Sequence, residues 1–353
     1  MKRTLILTSA LVVVAAAAQA QDQQVNLLSW GGAYGMSHVE AYAKPFEAQT
    51  GKKVVVSDAD NPATPVKAQV EAGNVSIDVA SVEYADAVRL CDEGLLEVID
   101  PAILTPAADG TPAADDFIEG AITECFVGTD VYSMILAYDD GKFPDAKPAG
   151  AADFFDTAKF PGKRTMRKGA KFNLEFALMA DGVAPDQVYE VLGTPEGVDQ
   201  AFAKLDTIKG DVVWWEAGAQ PVQMLADGEV AYTSAWNGRI TQLQADGVPV
   251  ELVWQGGGLK PSYMAIISGT QMSDAAHEYL RMMLTDSERA AQFAEMVAYP
   301  AMLPQLYDHL PDEVGANLPT YPANMEVQFV TDALFWAARM DDLRERWDEW
   351  LLE

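Results

Sequence analysis

Large aromatic residues and carboxylates stand where predicted strands end, and these residue types could together bind an organic amine. An aromatic face attracts an ammonium group by roughly 0.5–2 kcal/mol, and a carboxylate accepts charge-assisted hydrogen bonds from it. The residues in such positions are Trp30, Glu83, Tyr84, Trp215 and Glu216. Packing of Trp30 within a loop and exposure of Glu83 to solvent are the structural alternatives. Trp214 points to the opposite face of its strand from Trp215, so we expect Trp214 in a core.

Catalytic chemistry finds little support in the sequence. The three histidines, His38, His277 and His309, stand in ordinary helical or loop surroundings, and no Ser or Thr nucleophile has a recognisable His base. The glycine runs at 31–32 and 256–258 match neither a phosphate-binding loop nor a dinucleotide fingerprint. The 53 Asp and Glu residues leave one catalytic alternative, a secreted carbohydrate-active hydrolase with paired carboxylates. We expect no enzyme activity, no cofactor and no metal site.

The charge balance narrows the class of partner. The chain has 353 residues, with 24 Lys and Arg against 53 Asp and Glu, for a formal net charge of -29. Nucleic-acid-binding proteins carry basic patches, and anionic lipid attracts basic segments, so neither partner is expected. A hydrophobic content of 49% is ample for packed cores. The length suggests two domains of about 150 residues each.

The first twenty residues have the pattern of a secretory signal peptide. A short basic start precedes an apolar run over 4–18, and Ala18-Gln19-Ala20 fits the small-x-small cleavage pattern. We expect cleavage before Gln21 and export to the periplasm. An N-terminal membrane anchor is the alternative, but the run is shorter than the roughly 20 residues that a spanning helix needs. No stable membrane insertion is therefore expected.

Export to an oxidising compartment makes a disulfide between the cysteines of the chain more favourable than free thiols. Cys91 and Cys125 are the two cysteines of the chain, and an oxidising compartment favours disulfide formation. We therefore predict a disulfide between them. Two buried free thiols are the alternative.

Segments with strand and helix patterns alternate along the mature chain. Strands are predicted over 25–30, 53–56 and 77–82, with Gly31-Gly32 ending the first. The helices predicted after them, over 38–50, 65–72 and 85–93, each stop at a glycine. This alternation is typical of a mostly parallel sheet covered on both faces, in which ligands lie at the carboxyl ends of the strands. Trp30 and Tyr84 are therefore expected at the same edge of the sheet. A second α/β pattern follows residue 138.

Two long strands connect the two patterns. One leaves near residue 135 and the other returns near residue 263, and two extended hinges of this kind allow rigid-body closure around a ligand. The predicted fold class is therefore α/β, with two lobes joined by hinge strands and a ligand cleft between them. Lobe 1 combines 21–137 with 262–353, and lobe 2 comprises 138–261.

Short motifs in a constant order resemble the solute-binding proteins of ABC importers, of the spermidine/putrescine type. They include Leu28-Ser29-Trp30-Gly31-Gly32, Trp214-Trp215-Glu216-Ala217-Gly218 and Ser234-Ala235-Trp236-Asn237-Gly238-Arg239. The resemblance covers almost the whole chain. It implies a type II periplasmic-binding-protein fold and a monomer that captures a small solute and delivers it to a membrane permease.

The resemblance also implies ligand-binding residues. Trp30 and Tyr84 match aromatic positions of the family, and Trp236 matches its cleft tryptophan, beside which Asn237 offers a donor and an acceptor. Two further candidates nearer the C-terminus resemble family positions, and they are Tyr299 and Gln328.

Two departures from the family pattern weaken a polyamine assignment. Polyamine binders carry a carboxylate at the position of Ser262, which here follows Lys260 by two residues, and further acids ahead of Leu174. Five basic residues instead fall within nine positions, and they are Lys163, Arg164, Arg167, Lys168 and Lys171. A cation near the ligand would repel a diamine. We therefore expect a small amine-containing solute with one cationic and one anionic end, with Ser262 among its contacts, and a polyamine-like solute is the alternative. For the basic run, a solvated loop is the structural alternative.

Overall fold

The structure, a computed structural model, describes residues 24–59, 61–100 and 121–353. The predicted signal peptide at 1–20 lies outside these residues. Contacts group the described chain into two units. Unit 1 holds the described residues up to Thr129, with Ser262–Met296 and Ala301–His309. Unit 2 holds Asp130–Pro261, Val297–Pro300 and Leu310–Glu353.

Strands and helices alternate through the described chain, as the sequence predicted. The strands are β1 (Gln24–Ser29), β2 (Lys53–Asp58), β3 (Val79–Val82), β4 (Phe126–Asp139), β5 (Arg164–Arg167), β6 (Val212–Trp215), β7 (Tyr232–Trp236), β8 (Val250–Ile266) and β9 (Phe329–Val330). The α-helices are α1 (Gly32–His38), α2 (Lys44–Thr50), α3 (Ala63–Glu71), α4 (Tyr84–Asp92), α5 (Ala151–Phe155), α6 (Asn173–Ala180), α7 (Val188–Leu192), α8 (Pro195–Asp206), α9 (Gln220–Ala226), α10 (Asn237–Ala245), α11 (Ser273–Thr285), α12 (Ser287–Val297), α13 (Asp312–Gly315), α14 (Pro322–Met325) and α15 (Ala333–Leu352). A π-helical segment, Val39–Ala43, joins α1 to α2.

Unit 1 is built on a parallel sheet of short apolar strands. Strands β2 and β3 both pair with β1 in parallel, with Ser29 opposite Asp58 at the end of the first pair. The last residues of β8 complete the sheet antiparallel to β3. Parallel strands end at one edge, so Trp30, Asp58 and Glu83 follow or close their strands at the same edge of the sheet. This arrangement confirms the predicted common edge for Trp30 and Tyr84.

The first helix of unit 1 begins earlier than the sequence predicted. We expected a helix from His38, but α1 begins at Gly32, after Gly31 with a φ of 76°. Glycine adopts positive φ at no steric cost, and a Cβ at Gly31 would lie 2.8 Å from the carboxyl group of Asp58. The two glycines that were predicted to end the strand therefore turn the chain directly into a helix.

A disulfide fastens α4 to the residues ahead of β4. Cys91 and Cys125 are bonded, with their Cα atoms 5.8 Å apart. Leu90 and Phe126, next to them in the chain, are buried in the same hydrophobic cluster. The predicted disulfide between Cys91 and Cys125 is therefore confirmed.

Unit 2 has a mixed sheet that brings three parallel strand ends together. Strand β5 pairs in parallel with both β6 and β7, and β4 lies antiparallel on the other side of β7. The register places Arg167 opposite Trp215 at the end of β5. The carboxyl ends of β5, β6 and β7 therefore carry Arg167, Trp215 and Trp236 along one edge of the sheet.

The C-terminal helix belongs to unit 2, which differs from the predicted assignment of 262–353 to lobe 1. Helix α15 buries Trp336, Leu343, Trp347 and Trp350, and the Trp347 ring centroid lies 5.1 Å from that of Trp214. Aromatic burial on this scale sets where the helix packs. The core position expected for Trp214 is confirmed. In the described ranges, no helix is both long enough and apolar enough to cross a membrane.

A buried carboxyl group links α6 to the C-terminal helix. Glu175 is fully buried and accepts hydrogen bonds from the Tyr189 hydroxyl at 2.9 Å and from the Trp336 indole N–H at 2.8 Å. Burial raises the pKa of Glu175, and the two donors oppose that change. Because burial penalises the charged form, Glu175 holds its proton to a higher pH in the folded protein than in the unfolded chain.

Replacing Glu175 by Gln is expected to stabilise the protein increasingly as the pH rises. A raised folded-state pKa gives a stability that is complete below the ordinary carboxyl pKa of 4.5 and is lost as pH rises through the folded-state pKa. Gln does not titrate, so the variant should gain stability relative to the wild type as the pH rises from 4 to 8. Thermal melts of both proteins over this range test it. A pH-independent difference would contradict the raised pKa of Glu175.

Candidate functional site

An aromatic cluster lies at the carboxyl ends of the unit 2 strands, centred on Trp236. The Trp236 ring meets Tyr132 edge-on at 5.2 Å and Phe172 at 5.6 Å between centroids, and Trp215 lies behind it at 6.5 Å. Trp236 and Tyr132 are half-buried, whereas Phe172 is fully buried. We call Tyr132, Phe172, Trp236 and Tyr299 the aromatic cluster. Its half-buried rings form a surface suited to an apolar or cationic part of a small solute.

Tyr299 joins this cluster through a short segment that returns to unit 2. Its ring centroid lies 5.5 Å from that of Tyr132. Burial raises the pKa of Tyr299, the positive charge of Arg239 lowers it and the negative charge of Asp130 raises it. Both charged groups therefore act on the cluster. A Cβ at Gly238 would lie 2.3 Å from the Val297 carbonyl oxygen, so the close approach of this segment requires glycine.

Two cations stand over two different rings of the cluster. The Arg167 guanidinium carbon lies 5.7 Å from the Trp236 ring centroid, and the Lys260 Nζ lies 5.7 Å from that of Tyr132. Both side chains are half-buried. Within the described ranges, no carboxylate forms an ion pair with Arg167. A guanidinium in this setting offers paired donors to a carboxylate of a ligand.

The backbone around Arg167 is fixed by its neighbours on α6. The Asn173 side-chain amide donates to the carbonyl oxygens of Arg167 at 2.5 Å and Gly169 at 2.7 Å. Phe172, which lies between Gly169 and Asn173 in the chain, has a φ of 72°, which is unusual for a residue with a side chain. A residue keeps a strained backbone conformation of this kind only where several surrounding contacts hold it in place. The loop from β5 to α6 is thus held in one conformation that keeps Arg167 at the cluster.

The side chains of the other basic residues between Lys163 and Lys171 make different contacts from Arg167. Arg164 is fully buried and donates to backbone carbonyls, among them that of Phe154 at 2.9 Å. Lys163 is exposed and bonds the Gly210 carbonyl at 2.8 Å. Lys171 lies over the Phe172 ring, with 5.8 Å between Nζ and the centroid. The run is therefore neither a uniformly solvated loop nor one cationic patch, since Arg167 differs from its neighbours.

Glu216 pairs with a lysine at the surface. Its carboxylate lies 2.7 Å from the Lys168 Nζ, and both side chains are exposed. The hydrogen bond and the charge of Lys168 lower the pKa of Glu216. The carboxylate that was predicted to meet an amine of the solute therefore already has a cationic partner.

Asn237 and Gln328 use their amide groups inside the protein, and ligand contact by either residue stays a prediction. Asn237 accepts from the Ser133 N–H at 2.9 Å and donates to the Ala298 carbonyl at 2.7 Å. Gln328 accepts from the Ser133 hydroxyl at 2.6 Å and donates to two carbonyls. Buried amides must satisfy their own hydrogen bonds. These two residues therefore position β4 and the segment that carries Tyr299.

Trp215 is placed behind the cluster rather than at its surface. It is 2% exposed, and its indole N–H donates to the Ser234 carbonyl at 3.0 Å. Little of the Trp215 ring surface is exposed to a ligand, and the ring packs against Trp236 from behind. The prediction that Trp215 also contacts the solute stays a prediction.

The unit 1 candidates lie near the edge formed by the parallel strand ends. The half-buried Tyr84 ring packs on Phe126 at 5.6 Å and Tyr263 at 5.4 Å. Trp30 is half-buried after β1, and Glu83 is half-buried ahead of α4. Ser262 is 6% exposed, and its carbonyl accepts from the Thr129 hydroxyl at 3.5 Å. Ligand contact by these residues stays a prediction.

The comparison with protein families decides the class of this chain. The model of the bacterial extracellular solute-binding protein family matches residues 41–323. The chain belongs to this family. It is therefore a solute-binding protein with the two-lobed α/β fold of the periplasmic binding proteins, as the sequence predicted.

Individual relatives of this solute-binding protein cover nearly all of it. It is 44% identical over 336 residues to the gamma-aminobutyric acid-binding protein of Pseudomonas aeruginosa, across 95% of this chain and 93% of the relative. An ABC transporter substrate-binding protein from Bradyrhizobium japonicum superposes with a TM-score of 0.82 at 31% identity, across 93% and 99% of the two chains. The Atu4243-GABA receptor superposes with a TM-score of 0.78 at 33% identity, across 93% and 97%. These similarities do not confirm a polyamine-type specificity.

Sequence reasoning missed Tyr132, which the structure places in the aromatic cluster. Tyr132 lies inside a long alternating strand, and its contacts with Trp236 and Lys260 come from different strands. Of the described residues, no three His, Cys, Asp or Glu side chains converge as metal ligands.

Proposed function

We propose that this protein binds a small ω-amino acid of the size of gamma-aminobutyric acid (GABA) and delivers it to an ABC permease from the periplasm. The observation that carries the proposal is Arg167, a half-buried guanidinium over the Trp236 ring without a carboxylate partner in the described part of the chain. Such a group has its donors available for a ligand carboxylate. The names of two relatives, a GABA-binding protein and a GABA receptor, support the same solute class.

The charges around the aromatic cluster favour a solute with an anionic end. Arg167, Lys260 and Arg239 all act on its rings, against the carboxylate of Asp130. A ligand ammonium group would meet aromatic faces and a carboxylate, whereas a ligand carboxylate would meet guanidinium donors. A polyamine offers the site no anionic group. The excess of cations therefore supports the zwitterion that the sequence predicted over spermidine or putrescine.

The periplasmic location and the absence of catalysis are parts of the same proposal. The signal-peptide pattern at 1–20 supports export, and the family is one of extracellular solute-binding proteins. Proteins of this kind bind and release their ligand unchanged. A secreted hydrolase would instead convert its substrate, which separates the two functions by experiment.

Titration of ligand-free protein against matched solutes tests the proposal. We expect refolded mature protein to bind GABA or a near homologue with micromolar or tighter affinity and to gain several degrees in Tm at saturation. Butyrate, which lacks the ammonium group, and n-butylamine, which lacks the carboxylate, are the controls, and each should bind at least about 100-fold more weakly. Isothermal titration calorimetry gives the affinities. Tight binding of putrescine or spermidine without binding of any ω-amino acid would overturn the proposal, as would turnover of the solute.

A further inference from the structure

We propose that Lys260 sets the specificity of the site, by rejecting solutes that carry a second ammonium group in place of a carboxylate. The inference rests on the proposed function and adds to it a residue that discriminates ω-amino acids from diamines. It concerns the choice between two solutes of similar length and apolar area. Such solutes differ in the charge at one end, so only a charged group of the protein can separate them strongly.

The position of Lys260 carries the first step. Its Nζ lies 5.7 Å from the ring centroid of Tyr132, and Tyr132 contacts both Trp236 and Tyr299. Lys260 is half-buried on β8. Its charge is therefore held beside the half-buried rings of the cluster, on a regular strand rather than on a mobile loop.

The second step concerns the combined effect of the two cations on a charged group of the ligand. Arg167 stands over Trp236 and Lys260 stands over Tyr132, whose rings are 5.2 Å apart. Rings in contact bring the two cations to the same cluster from different strands. A carboxylate bound to Arg167 is also attracted by Lys260, whereas an ammonium group there is repelled by both.

The third step concerns the remaining charges at the cluster. Asp130 is buried, and its charge acts on Tyr299 together with that of Arg239. One ammonium group of a diamine can lie where the negative charge of Asp130 stabilises it. Its second ammonium group then lies among cations, in a site where partial desolvation strengthens like-charge repulsion. Reversing the sign of the charge at Lys260 leaves in place the Arg167 guanidinium that binds the carboxylate.

Charge reversal and charge removal at Lys260 test the inference. Calorimetric titrations of GABA and putrescine into the wild type, Lys260→Glu and Lys260→Met give the ratio of the two affinities for each protein. We expect Lys260→Glu to shift the ratio toward putrescine by about 100-fold or more and Lys260→Met to shift it by about 10-fold. Lys163→Met, an exposed lysine of the same unit, is the matched control and should leave the ratio unchanged.

The outcomes separate the inference from the proposed function. If the wild type binds GABA and both folded Lys260 variants keep its affinity ratio within about threefold, the inference is overturned and the proposed function stands. If the wild type binds no ω-amino acid, the proposed function falls and the inference falls with it. Lys260→Met keeps the apolar stem of the side chain, so it retains a test of the inference if Lys260→Glu does not fold.

Discussion

Replacing Arg167 by Met weakens the binding of GABA by at least about 100-fold, the largest expected effect of any single change on solute affinity. The guanidinium lies over the Trp236 ring and has no ion-pair partner within the described ranges, so no existing carboxylate competes for its donors. Its removal leaves the bound carboxylate desolvated and unpaired, which costs more than the lost contact alone. Calorimetry on the ligand-free variant measures the change.

Two further variants separate the parts played by charge and geometry. Arg167→Lys keeps the charge but loses the planar fork, so its affinity should fall between those of the wild type and Arg167→Met. Lys163→Met removes an exposed cation four residues away and should bind as the wild type does. Unchanged affinity in folded Arg167→Met would mean that the carboxylate is bound elsewhere, and the proposed site would then be wrong.

The sequence carried enough information for the fold because its local signals agree with one another. Apolar runs bounded by glycine predicted strands β1, β2 and β3 and the helices after them, and the structure has these elements. The C-terminal helix was misplaced for a physical reason. Its Trp347 and Trp350 pack on Trp214 and Phe202, and contacts between segments this far apart in the chain leave no local pattern in the sequence.

The site was predicted less completely because residue type does not show what a side chain already bonds. Asn237 has the right chemistry for a ligand, but it is fully buried and its amide bonds Ser133 and Ala298. Arg167 was one of five basic residues in a run, and the sequence could not separate it from Arg164, whose donors are taken by backbone carbonyls. The structure distinguishes the two, because Arg164 begins β5 and donates to backbone carbonyls, whereas Arg167 ends β5 over the Trp236 ring.

The disulfide is a covalent constraint on the stability of unit 1. It joins Cys91 on α4 to Cys125 across a sequence separation of 34 residues. Cross-linking residues this far apart lowers the chain entropy of the unfolded state more than a short loop would. The bond also fastens α4, whose first residue is Tyr84, to the segment that leads into β4.

Replacing both cysteines by Ala is expected to lower the free energy of unfolding by about 3–4 kcal/mol, as the chain-entropy model gives for a loop of this size. Urea denaturation measures the loss, and hydrogen exchange over 84–92 shows whether it falls on α4. Reduced wild type is the matched control, because it loses the cross-link while keeping both sulfur atoms, and a reductant should leave the double Ala variant unchanged. Two reactive thiols in denatured, unreduced wild type would refute the bond. Equal stability of the oxidised and reduced proteins would instead show that packing around Leu90 and Phe126, rather than the cross-link, holds this part of unit 1 together.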